Sequence, residues 1–294
     1  MRIVETKRDL RAALAGDRRP ARTIGLVPTM GALHDGHVSL IEAARRDCDV
    51  VVVSLFVNPA QFGPGEDLEG YPRDRDRDAE RAAAAGADLL YAPAVDEVYP
   101  PGFATTVEVE GLTGVLCGEA ERRGPEHFRG VTTIVAKLLN AVGPDVAYFG
   151  QKDAQQALVV RRMVADLDFP VRIEVRPTVR EADGLAMSSR NAYLAPADRE
   201  RAPALHRALA AAAAAARPGT AVDDALRAAR EELAGAGVEP EYLEARDAGD
   251  LGPVETFNGR PVLIAVAAQL GRARLIDNVI VETPGPQPER QEPR

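Results

Sequence analysis

Pro28-Thr29-Met30-Gly31-Ala32-Leu33-His34-Asp35-Gly36-His37 decides how this chain reads. An apolar run, Ile24 to Val27, leads into it, and an amphipathic segment, Val38 to Cys48, leads out. The order is strand, tight loop, helix start. It predicts an anion-friendly site, because the unpaired amides and dipole of a helix N-terminus favour negative charge. Gly31 and Gly36 permit close backbone approach or unusual dihedrals. Two of the four histidines, His34 and His37, lie in this loop. With His37 taken as the helix start, either imidazole can donate to a phosphoryl oxygen, while Asp35 keeps the loop polar. A polar loop whose histidines only cap a turn is the competing explanation. Zinc binding is weaker, since His127 and His206 lie in other contexts and no ligand trio is evident. The glycine spacing is neither that of a dinucleotide fingerprint nor that of a Walker A loop.

The same alternation continues outward. Val50 to Val57 is a β-branched run suited to a strand buried on both faces of a parallel sheet. A helix is expected over Arg73 to Ala85, a strand over Asp88 to Tyr91, and a weaker β-prone stretch at Val107 to Val109. Val131 to Val142 has helical spacing and stops at Gly143-Pro144. Val146 to Phe149, Asp153 to Leu167 and Val171 to Val175 repeat strand, helix, strand. This predicts an α/β fold, a Rossmann-like doubly wound, mostly parallel sheet, with its ligand beyond the C-terminal strand ends. The pattern changes near Arg176-Pro177. Helices over Ala197 to Arg217 and Val222 to Leu233 precede strands at Tyr242 to Arg246, Val262 to Ala268 and Leu275 to Val281. Pro203 fits the first of these helices only in an early turn. The expected division is 1–177, a smaller α+β domain at 178–282, and a disordered tail at 283–294 rich in Pro, Gln, Glu and Arg.

Composition narrows the function classes. The 294 residues carry a net charge of −9 and 46% hydrophobic residues, enough for a sizeable core. The acidic balance argues against a nucleic-acid or anionic-membrane surface. Cys48 and Cys117 are too few for a disulfide scaffold or a thiolate zinc site. The absence of an apolar signal core at Met1 to Glu5, and of any apolar run near ~18 residues, leads to the expectation of a soluble cytoplasmic protein.

Three further clusters carry chemistry. Phe149-Gly150-Gln151-Lys152-Asp153 opens a helix directly after a strand. Lys152 can neutralise phosphate, and Asp153 can cap the helix or position a hydrated metal; an ordinary N-cap beside a surface lysine is the alternative. Gln155 and Gln156 point apart on that helix, so at most one faces a given ligand group. Met187-Ser188-Ser189-Arg190-Asn191 offers two hydroxyls and a planar guanidinium to a polyphosphate, or forms a polar interdomain turn. Asn58, Gln61 and Phe62 follow the strongest strand and suit a small polar acid, or a local turn network. Tyr71-Pro72-Arg73 and His127-Phe128-Arg129-Gly130 read as further loop motifs.

Together with Arg274-Leu275-Ile276-Asp277-Asn278, these segments span nearly the whole chain in order. The chain resembles the pantothenate synthetase (pantoate–β-alanine ligase) family. Its His34-Asp35-Gly36-His37 is similar to the HxGH signature of the adenylyl-transfer superfamily that includes class I aminoacyl-tRNA synthetases. The resemblance implies ATP-dependent condensation of pantoate with β-alanine through pantoyl adenylate, with AMP and pyrophosphate released. It implies catalytic roles for His37, as proton donor, and for His34 and Lys152. It implies an ATP site from Met30, Gly31, Ala32, Leu33, His34, Asp35, Gly36 and His37, from Gly150, Gln151, Lys152 and Asp153, and from Val179, Met187, Ser188, Ser189 and Arg190. Gln61 and Gln156 are the implied pantoate residues, Gln61 also bordering β-alanine. Mg²⁺ and a homodimer are implied as well, with the smaller domain as a lid. Asp74, Asp76 and Asp78 are possible outer metal contacts, but the Arg73-to-Asp78 repeat assigns no metal ligand. A nucleotidyltransferase of the same superfamily acting on a phosphorylated acceptor, and a catalytically silent nucleotide-binding regulator, are the alternative functions.

Overall fold

A computed structural model describes residues 1–18, 22–63 and 68–284. Most of the expected tail, 285–294, lies outside the described residues. The chain divides into two units. The first comprises Met1–Val179 with Met187–Ser189, and the second comprises Arg180–Ala186 with the chain from Arg190 onward.

The first unit opens with strand β1 (Arg2–Val4) and helix α1 (Lys7–Leu14), which add to the expected alternation. Thr6 caps α1 by accepting from the Asp9 amide, and Leu10 and Leu14 are its buried side. Then follow β2 (Ile24–Thr29), α2 (Asp35–Asp47), β3 (Val50–Leu55), α3 (Arg75–Ala84), β4 (Leu89–Tyr91), the short α4 (Val95–Val98), α5 (Pro125–Val142), β5 (Val146–Gly150), α6 (Ala154–Asp166) and β6 (Arg172–Arg176). The strand order is β1-β4-β3-β2-β5-β6, and every pairing is parallel. The sheet is therefore wholly parallel among the described residues. The first five residues of β3 are buried, as a run of valines sandwiched between helix layers should be. Gly25 lets α2 approach β2, since a Cβ there would lie 3.0 Å from Cys48 Sγ and 3.3 Å from the Ala44 Cβ.

Three local expectations need correction. Val107 to Val109 joins no strand. The helix expected from Val131 begins at Pro125, because Pro125 suits the first helical position after Gly124. His127-Phe128-Arg129-Gly130 is thus helical, and no loop motif. Gly143, left-handed at φ 58°, ends α5.

In the second unit, the helix expected over Ala197 to Arg217 is interrupted at Pro203, giving α7 (Pro196–Arg201) and α8 (Ala204–Ala215). Proline inside a continuous helix would remove a hydrogen bond and clash with the preceding turn. α9 (Val222–Gly235) follows, then an antiparallel sheet of β7 (Pro240–Asp247), β8 (Val262–Leu270) and β9 (Ala273–Val281). Ala204, Ala208 and Ala212 sit in the core with Leu205, Leu209, Ile264 and Val266. These alanines, spaced four apart along α8, are therefore a small-residue packing face. Arg180 pairs with the buried Asp277 of β9 through two hydrogen bonds, and Arg199 of α7 pairs with Glu181 and Asp183.

Candidate active site in the first unit

β2 lies between β3 and β5, so the strand order runs outward in two directions from it. Such a switch point leaves a crevice beyond the carboxyl ends of neighbouring strands. The His34 loop follows β2, the Asn58–Phe62 segment follows β3, and Gly150–Asp153 ends β5 and leads into α6.

The loop is built by its own side chains. The helix α2 starts at Asp35 with His34 as its N-cap, so His37 is the third residue of its first turn and does not start it. The Gly36 amide donates to His34 Nδ1 at 3.2 Å, and the His34 amide donates to His37 Nδ1 at 3.3 Å. This is the reciprocal logic of a capping box, with imidazoles in place of hydroxyl and carboxylate. Gly36 is required because a Cβ would lie 2.8 Å from His34 Cε1. The two rings stand 4.1 Å apart, tilted by 40°.

These bonds fix the proton positions. Each Nδ1 accepts, so each neutral ring carries its hydrogen on Nε2. Burial, followed by the Lys152 charge, pushes the His34 pKa down to about 4, although Asp153 and Asp35 pull the other way. Burial and the neighbouring His34, Lys152 and Arg81 charges hold His37 well below the usual histidine range. The arrangement presents two neutral N–H donors beside the Lys152 cation. Lys152 lies 3.8 Å from Asp153, whose side chain makes no capping bond to α6.

Upstream, Gly31 has φ 96° and Ala32 has φ 51°. The buried Asp78 of α3 accepts from the Ala32 amide at 2.9 Å and the Leu33 amide at 2.7 Å. Asp78 is therefore a loop-holding carboxylate, and the amides of Ala32 and Leu33 are already used. Its neighbour Asp74 caps α3 by accepting from the Arg77 amide.

Gln61 is buried in a short 3-10 turn, Pro59–Gln61. Asn58 fixes its direction. The Asn58 side-chain oxygen accepts from Tyr99 Oη at 2.8 Å and from the Ala60 amide at 3.3 Å. Its nitrogen donates to Gln61 Oε1 and to the Gly130 carbonyl, both at 3.1 Å. Gln61 Nε2 consequently faces Met30 Sδ, at 2.8 Å, as the donor end of the amide. The buried His127 donates from Nδ1 to the Gln61 carbonyl at 2.8 Å. Gln155 is also consumed internally, bonding Cys117 N, Leu112 O and Val115 O, whereas Gln156 is partly exposed.

Met187, Ser188 and Ser189 belong to this unit. The Met187 amide donates to the Val179 carbonyl at 3.0 Å, and Ser189 Oγ lies 3.4 Å from Tyr71 Oη. Met187 Cβ would be 3.9 Å from a Cβ on Gly36, so this segment reaches the α2 N-terminus. Arg190 falls in the second unit. The structure thus brings Met30, His34, His37, Gln61, Lys152 and Met187 into adjoining loops of one unit. Asp78, Tyr99 and His127, which support them, carry no local sequence signal for these roles.

The sequence profile described as pantoate-beta-alanine ligase matches residues 2–280. A pantothenate synthetase of Moorella thermoacetica is 54% identical over 284 residues, covering 96% of this chain and 99% of the relative. The crystal structure of pantothenate synthetase from Thermus thermophilus superposes with a TM-score of 0.88 at 52% identity, covering 95% of this chain and 99% of that one. A pantoate-beta-alanine ligase from Francisella tularensis, described as complexed with beta-gamma ATP and beta-alanine, gives a TM-score of 0.79 at 32% identity, covering 95% and 97%. Profile, full-length identity and fold agree with the geometry of the loops, and the chain belongs to the pantoate–β-alanine ligase family.

Proposed function

We propose that this chain joins pantoate to β-alanine with ATP as the driving substrate, and that the loop after β2 is its chemical centre. The carrying observation is the pair of neutral imidazoles with both Nδ1 atoms tied to backbone and both Nε2–H groups left to donate. Such donors stabilise charge that develops on phosphoryl oxygens without needing to reorganise. In the first step the pantoate carboxylate attacks the α-phosphorus of ATP and pyrophosphate leaves. In the second, the β-alanine amine attacks the acyl carbon of pantoyl adenylate, loses a proton, and AMP leaves.

His37 and His34 donate to the transferring phosphoryl group, and Lys152 offsets its charge. Met30 to His37, Gly150 to Asp153, the Val179 backbone and Met187 to Arg190 form the ATP site in this proposal. Gln61 and Gln156 hold pantoate, and Gln61 also borders β-alanine. The donor end of Gln61 suits a carboxylate or hydroxyl oxygen of that acid. A phosphorylated acceptor, as a nucleotidyltransferase would use, fits the neutral amides of Asn58 and Gln61 less well.

Mg²⁺ is proposed as a partner of the ATP phosphates. Among the described residues no cluster of three His, Cys, Asp or Glu side chains could cage a metal, and Asp78 is committed to two amides. This donor set fits an ion held mainly by phosphate oxygens and water, and in this proposal Asp153 helps position the hydrated ion. The ion would neutralise phosphate charge. The proposed assembly is a homodimer in the cytoplasm. Among the described residues no helix is long and apolar enough to cross a membrane.

The test is incubation with ATP and pantoate, with and without β-alanine. Pantoate-dependent pyrophosphate followed by β-alanine-dependent AMP is the expected result. Release of pyrophosphate without any need for pantoate would refute the reading. Removing a preorganised donor costs about 3 kcal/mol, so His37→Ala should slow adenylate formation roughly a hundredfold. Normal pyrophosphate release by the folded variant would refute the role of His37.

A further inference from the structure

We propose that Asp78 is a positioning residue for adenylyl transfer, setting the backbone turn from which the His34 imidazole is presented. This rests on the ligase reading above.

The carboxylate is 3% exposed, and each oxygen has its own amide. A buried carboxylate is stable only when its lone pairs are satisfied, and amide donors do this strongly. The two amides belong to consecutive residues, Ala32 and Leu33. Consecutive amides converging on one anion form the concave backbone shape that elsewhere binds phosphate. Here the concavity is filled by the protein's own carboxylate. Ala32 is held at φ 51°, where its Cβ crowds the backbone and few residues other than glycine settle. Gly31, at φ 96°, wraps the turn so closely that a Cβ would lie 3.0 Å from Asp78 Oδ2. The next residue after Leu33 is His34. Its amide and its Nδ1 make the two bonds that aim both imidazoles. A displacement of the turn therefore passes directly into the catalytic rings, and misplacement by about 1 Å can cost a hundredfold in rate.

The test uses Asp78→Asn, which offers one acceptor oxygen and sets an NH2 against the second amide. The expected result is a fall of at least about tenfold in kcat for pantoate-dependent pyrophosphate release, with the KM for pantoate within about twofold of wild type. Adding Ala32→Gly should restore part of that kcat, because glycine enters the left-handed region without the carboxylate holding it there. A loss that acts only through stability would shift the melting temperature and leave kcat, measured well below melting, unchanged. Asp78→Glu is the second variant should Asp78→Asn fail to fold. It keeps the charge but moves it by one methylene, and kcat should again fall. A kcat within twofold of wild type in a folded variant would overturn the proposal, as would a loss that Ala32→Gly leaves untouched. Wild-type protein without pantoate-dependent pyrophosphate release would instead refute the ligase reading, so the two failures are distinct.

Discussion

Acidification should expose the price of keeping two histidines neutral. His34 has a folded-state pKa of about 4 against an ordinary value of 6.5. The unfolded chain therefore takes up a proton as pH falls through 6.5, and the folded chain follows only near 4. Between those values the unfolded state binds more protons, so folding stability declines as pH falls. From pH 7 to pH 5, His34 alone should withdraw roughly 2 kcal/mol. His37 is shifted in the same direction and adds to the loss. The direct assay is an NMR titration of the four imidazoles. The His34 signal should stay in its neutral form down to pH 5.5. Chemical denaturation of the first unit's fold at pH 7 and pH 5 supplies the energy. His34→Asn keeps a good N-cap residue but removes the titrating ring. Its stability loss over this interval should be smaller than wild type by about the His34 contribution. A His34 midpoint near 6.5, or equal losses in the two proteins, would refute the assignment of burial and Lys152 as the controlling causes.

Two substitutions test the platform under Gln61. A Cβ on Gly130 would lie 2.2 Å from the Ala60 carbonyl oxygen and 2.7 Å from the Gln61 amide nitrogen. Gly130→Ala must therefore push the 3-10 turn away from α5, costing ~1–3 kcal/mol of stability and raising the KM for pantoate more than that for ATP; unchanged denaturation and kinetics would refute the close approach. Tyr99→Phe keeps the ring that packs near Phe56 and Phe103 but removes the hydrogen bond to Asn58. Its KM for pantoate should rise about three- to tenfold. The effect should disappear in a Gln61→Ala background, since Tyr99 acts on pantoate through that side chain; additive losses would refute the relay.

What could be read from the sequence was local. The valines of β3, the amphipathic α2 and the glycine that ends α5 each state their structure within a few residues. Thr6, Asp9, Leu10 and Leu14 do so for α1. Pro203 and Pro125 shifted helix boundaries because proline chemistry is decided at one position. The site separates along the same line. His34 and His37 were legible as a pair because they share one loop between a strand and a helix start, but the capping box they form, with His34 at the N-cap, emerged only in the structure. Asp78 was obscured within an alternating Arg-Asp run, since its meaning lies in amides 45 and 46 residues upstream. Tyr99 reaches Asn58 across 41 residues, and His127 reaches Gln61 across 66. Periodicity carries no information about such pairings. They arise only when the parallel strand order brings separate loops to one sheet edge.

The neutral histidines also explain why the cations around them are separate residues. Protonating either ring at Nδ1 would place an N–H against the backbone N–H it now accepts from. The loop would then lose the bonds that start α2. The imidazoles can thus supply direction, as fixed Nε2–H donors, but cannot supply charge without dismantling their own support. Positive charge comes instead from Lys152, on a neighbouring strand end, and Arg81, on α3, both of which lower the histidine pKa values. Asp78 completes this division on the same helix as Arg81. Its negative charge is satisfied by the Ala32 and Leu33 amides before any phosphate arrives. A carboxylate left unsatisfied so near the loop would repel the polyphosphate. Used as a structural anion, it lends the turn its shape while its charge is largely offset by the amides it binds.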